Sequence, residues 1–155
     1  MNSIGILERN YTSSRLQLRV NNMQISLDRL DEAHRALLTE TKTLIETLTQ
    51  TLSLYVQDPT ANTLEALPVY LNELSGAALF LGSSAQQTAL LGAAHFAQHR
   101  LNQNEAIDAE QINCILNVVA GLDLLVDNLK NKQPVLQSMF DVALSSSQQL
   151  QNIAA

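Results

Sequence analysis

The chain has 155 residues, of which 46% are hydrophobic and only 4% aromatic, with no Trp. That length fits one main core. Leu (28) and Ala (17) dominate, while Gly and Pro number 5 and 3. This mixture favours helices and excludes a β-sandwich or barrel, which needs β-branched and aromatic strands broken by frequent turns. It also excludes long disorder, because so apolar a chain can bury enough surface to offset the entropy of folding. A formal charge of −6 with nine scattered Lys and Arg is too poor in cations to neutralise a run of phosphates, so nucleic acid is not an expected partner.

The first ten residues lack the basic and apolar regions of a signal peptide. The apolar runs, Ala77–Leu81 among the longest, fall short of a membrane span. Cys114 is the only cysteine, so no intrachain disulfide forms. Together these predict a cytoplasmic protein without membrane insertion.

In chain order, residues 1–22 show no sustained helical period and read as an arm or short helix. The domain proper is expected over 23–155. Its first helix is predicted from about Met23 to Val56, where Leu27, Leu30, His34, Leu37, Leu38, Thr41, Leu44, Ile45, Leu48, Leu52 and Tyr55 recur at steps of three and four. That spacing draws one stripe along roughly 50 Å of helix. Asp58-Pro59 stops it, since proline disfavours helix at the residue before it.

A second helix is predicted over about Thr60–Leu81, starting near Pro68 or bending there. Leu71, Leu74, Ala78 and Leu81 point inward on its helical wheel. Gly82 suits the C-terminal turn and the following serines the next N-cap. The third helix, about Ser84–Leu101, carries Ala85, Ala89, Leu90, Ala93, Ala94 and Ala97, small residues that let a neighbour approach closely. Asp108 and Gln111 then form a capping-box pair for a fourth helix. Ile112, Ile115, Leu116, Val119, Leu122, Val126 and Leu129 supply its buried side, and Lys130 and Lys132 close it. Pro134 suits the first turn of a fifth helix with Val135, Leu136, Met139, Phe140, Ala143 and Leu144 as its apolar set. Ser145–Gln149 reads as a fraying end. Long amphipathic helices joined by short connections predict an all-α, antiparallel up-down four-helix bundle with an additional helix or N-terminal arm.

No catalytic constellation is present. His95 and His99, four apart on a helix, could reach one metal, but no third ligand sits at a suitable spacing, so two surface or boundary histidines are the better reading. His34 lies on the first helix's apolar stripe and reads as a core or partly buried residue. Cys114 has no adjacent base and reads as a small hydrophobe. No phosphate-binding glycine loop, Rossmann fingerprint or nucleophile elbow appears. The chain is expected to be no enzyme and to need no cofactor.

The segment Tyr70–Gly82 is different. Asn72 and Gly76 face away from the inward leucines, with Val69 and Leu79 flanking them. Glycine inside a helix costs about 1 kcal/mol against Ala. Its presence fits either close approach by a partner or packing against another helix of this chain.

The same segment resembles the motif helix of histidine-phosphotransfer (Hpt) domains, His-x-Leu-Lys-Gly with a second Gly six residues later. Leu74, Gly76 and Gly82 match, whereas Asn72 replaces the phospho-accepting His and Ser75 the Lys. An amide has no nucleophilic nitrogen for a phosphoryl group. From about Leu27 to Phe140 the chain is similar to degenerate Hpt-like domains at the N-terminus of the twitching-motility chemosensory kinase ChpA and its relative FimL. Tyr55–Pro59, Leu91–Ala94, Val119–Leu129 and Pro134–Leu136 carry the likeness, and His95, Gln98 and His99 depart from it by replacing acidic residues. The resemblance implies a noncatalytic protein-binding module of type IV pilus or twitching-motility signalling. Its docking face would be Val69, Asn72, Ser75, Gly76 and Leu79, and its partner a response regulator or a polar scaffold of the FimV type. An active phosphotransfer protein using His34, His95 or His99, or a metal-binding bundle, are the alternatives.

Overall fold

A computed structural model describes residues 2–59 and 64–154; for 2–28 and for 30 it describes the backbone alone. The described residues form five α-helices and one 3-10 turn, with no strand: α1 (Asn2–Gln57), α2 (Leu67–Phe80), α3 (Ser84–Asn102), α4 (Ala109–Lys130), the 3-10 turn Gln137–Phe140, and α5 (Asp141–Ala154).

The chain divides into two compact units, Met1–Ala36 and Leu37–Ala155. The described backbone of the first is helix throughout. The described backbone of residues 2–22 belongs to α1, and the division between the two units falls at 36/37. No proline precedes Pro59, and the scattered Ser, Thr and Asn lower helix propensity by less than about 1 kcal/mol each. Nothing in that stretch stops a helix. The stripe positions Leu27 and Leu30 lie outside the residues with described side chains, as does the expected start of the second helix at residues 60–63.

Within the second unit, α1 buries Leu38, Thr41, Ile45, Leu48, Leu52 and Tyr55, which follows the helical period read from sequence. Its end at Gln57 precedes Asp58-Pro59 as expected, and the Asp58 amide closes the last turn on the Leu54 carbonyl at 2.9 Å. Helix α3 packs against α2 and α5, and α4 against α5. Leu71, Leu74, Leu90, Phe96, Ile112, Ile115, Leu122 and Leu125 are the heart of the core.

Local signals set most of the ends. Gly82 adopts φ +92°, and the Ser83 and Gly82 amides donate to the Ala78 and Leu79 carbonyls, a Schellman closure that favours glycine. Ser83 accepts from the Gln86 amide and caps α3. Asp108 and Gln111 form the reciprocal capping box of α4, at 2.8 and 3.1 Å.

The C-terminal region departs from expectation. Val135 and Leu136 are exposed, residues 137–140 form the 3-10 turn, and α5 begins only at Asp141. Ser145–Gln149 is the middle of α5 rather than a fraying end. Ser146, Ser147 and Leu150 are buried, and Ser147 donates to the Ala89 carbonyl of α3 at 2.8 Å. A side chain at Gly92 of α3 would collide with Ser147 and Gln151. The two helices approach closely there because position 92 carries no Cβ.

Among the described helices, α4 alone is long and apolar enough to cross a membrane, by length and composition. Half of that stretch is buried within the fold, the pattern of a core helix. Asn113, Asn117, Asp123 and Asp127 divide its apolar residues, so it holds no long continuous apolar run.

Candidate functional site: the outward face of α2

Helix α2 starts at Leu67, with Pro68 in its first turn where a missing N–H costs nothing. Burial of Leu67, Leu71, Leu74 and Ala78 fixes the helix's rotation. Val69, Asn72, Glu73, Gly76, Leu79 and Phe80 therefore face outward and are exposed. Val69 is 57%, Leu79 54% and Phe80 63% accessible, unusually high for residues that gain from burial.

Gly76 occupies the middle of this face. A Cβ built there meets no described atom within 4 Å. The two readings of Gly76 left open by the sequence thus separate: it does not pack against a described helix of this chain. The result is an amide, a notch and three large apolar side chains on one side of one helix, with Glu73 the sole charge of α2.

Ser75 does not belong to this face. It is 5% exposed, and its hydroxyl donates to the Asn72 carbonyl at 2.6 Å. Lying four residues after Leu71 and one after Leu74, it shares their inward side. The family motif had placed it outward; the wheel does not. Phe80 was missed, although it lies four residues after Gly76 and so shares its side of the helix.

The other singled-out residues stand apart. His95 is exposed and His99 half-exposed, and no group of three or more His, Cys, Asp or Glu among the described residues could hold a metal. His34 is half-buried. Cys114 is buried, and desolvation, followed by the charges of Glu110 and Asp108, pushes its thiol pKa up. It is a poor nucleophile as it stands.

Residues 28–147 match the family model of the FimL C-terminal domain. The chain belongs to that family. The match spans all of α2, α3 and α4 and the start of α5. The link to FimL anticipated from sequence holds, but through that protein's C-terminal domain rather than an N-terminal one. Comparison with curated proteins and with solved structures gives no match.

Proposed function

We propose that this FimL C-terminal-type domain is a noncatalytic protein-interaction module of type IV pilus or twitching-motility signalling, acting in the cytoplasm. The helices of its second unit are read as an Hpt-like antiparallel up-down bundle, in which α2 takes the place of the motif helix. Family membership supports the pathway, and the residue pattern Asn72–Leu74–Gly76–Gly82 supports the Hpt-like reading. The observation that carries the proposal is the exposure of Asn72 beside the open notch at Gly76, between Val69 and Leu79. An Hpt domain presents its phospho-accepting histidine to a receiver domain from such a face. With an amide there, the face keeps the docking surface and loses the transfer chemistry.

The occupant is a receiver domain of a response regulator, with a polar scaffold protein as the other partner class. Three exposed apolar side chains give it area to bury, and Glu73 is the one charge on α2 that docking would desolvate. Two measurements test this. Incubation with a receiver domain carrying labelled phosphate is expected to leave the chain unlabelled, and stable label on it would end the noncatalytic reading. Titration with the same domain is expected to give binding that Asn72→Arg and Gly76→Arg each abolish while circular dichroism stays unchanged. Undiminished binding by both variants would remove the docking face.

A further inference from the structure

The first unit, Met1–Ala36, taken by itself, is one stretch of helix, the N-terminal part of α1. A single helix holds no second element on which to bury apolar residues. Its composition does not favour a free-standing helix either, since Asn10–Ser14 and Val20–Asn22 fall below the good helix formers. A helix of that make-up draws its stability from a packed face.

Leu16, Val20, Met23, Leu27, Leu30 and His34 supply the positions for one, at steps of four, three, four, three and four. That is a heptad spacing, which keeps one line of positions facing a second helix wound around the first. The side chains described in this unit, Arg29 and those of residues 31–36, are exposed apart from the half-buried His34. Charge is divided along the same stretch. Residues 9–27 hold Arg9, Arg15 and Arg19 with no acid, whereas in 28–34 Asp28, Asp31 and Glu32 outnumber Arg29. Two copies running in the same direction set like charges level with each other. Reversed, they set the basic half of each level with the acidic half of the other.

We propose that residues 16–34 pair with the same segment of a second copy of this chain as an antiparallel coiled coil. When Met23 lies level with Leu27 of the other copy, the spacing matches throughout. Val20 then falls level with Leu30, Leu16 with His34, and Arg19 with Asp31. Ten apolar side chains bury on the order of 1,000 Å² in this way, the lower end for a specific interface. The dimer is therefore expected to dissociate on dilution.

Sedimentation equilibrium of the full chain tests this, over about 1–1,000 μM. The mass is expected to rise from the 17.0 kDa of one chain towards twice that value, and Met23→Asp should hold it near one chain. Gly76→Arg should leave the rise unchanged, which tells this pairing from self-association through the α2 face. Orientation is read by oxidation in a Cys114→Ala background. A mixture of Val20→Cys and Leu30→Cys chains should cross-link. Val20→Cys alone should not, because its two sulfurs would stand about 15 Å apart along the axis. A constant mass of one chain, a dimer indifferent to Met23→Asp, or a cross-link in Val20→Cys alone would each overturn the proposal.

Discussion

Gln86 of α3 fills the space that a side chain at Gly121 of α4 would need. Its carbonyl oxygen lies well inside contact distance of a Cβ built at 121, with the Ala143 methyl at 2.9 Å on the other side. Gln86 is fully buried, and its amide nitrogen donates to the Val118 carbonyl at 2.6 Å. Two helices and the start of a third thus converge on one missing side chain, as Gly92 brings α3 and α5 together. Neither the Ala143 contact nor the buried amide leaves slack.

Gly121→Ala is therefore expected to destabilise the protein by about 1–3 kcal/mol, the usual cost of overpacking a filled core. Gly76→Ala supplies the contrast. Its Cβ enters open space within a regular helix, so it should stabilise by up to about 1 kcal/mol. Urea denaturation of the two variants beside wild type measures both, and equal effects would contradict the packing described.

The Lys42 ammonium of α1 lies 2.6 Å from Asp123 and 3.3 Å from Asp127 of α4, one helical turn apart. The hydrogen bond to Asp123 leads the effects that raise its pKa, outweighing desolvation. A raised folded-state pKa means a stabilising contribution fully present at neutral pH and lost as pH rises through that value. The side chain is partly solvated, so the contribution is about 1 kcal/mol or less. Wild type should exceed Lys42→Met in stability to a constant degree from pH 6 to about pH 9, and the gap should close above about pH 10. Urea midpoints of the pair across that range check it.

Burial and the neighbouring acids Glu110 and Asp108 keep the Cys114 thiol protonated. Its reaction with an aromatic disulfide reagent at pH 8 should be slow in the native protein and fast in denaturant. Fast native modification would contradict the burial.

Elements governed by neighbouring residues were legible in the sequence. Asp58-Pro59, Pro68, Gly82-Ser83 and the Asp108–Gln111 pair each act through backbone geometry or a short-range hydrogen bond, and each marks the boundary it should. The fifth helix was legible in its existence but not in its start or its polar second half. Pro134 is sterically fit to open a helix, but Val135 and Leu136 stay exposed, and what fixes α5 is the burial of Phe140, Ala143, Ser147 and Leu150. That burial requires Gly92 and a carbonyl acceptor at Ala89 on α3, a relationship between residues 58 positions apart. Ser145–Gln149 looks polar and loose for the same reason, since a serine reads as buried only once its partner is known. At the α2 face the helical period identified Val69, Asn72, Gly76 and Leu79. Ser75, named for the docking face through the motif, is buried beside Leu71 and Leu74.

The most direct test of the account is an NMR footprint on the isotopically labelled chain, titrated with an unphosphorylated receiver domain. The proposal predicts chemical-shift changes concentrated at Val69, Asn72, Gly76, Leu79 and Phe80. A footprint on another surface, with those five signals unmoved, would contradict it.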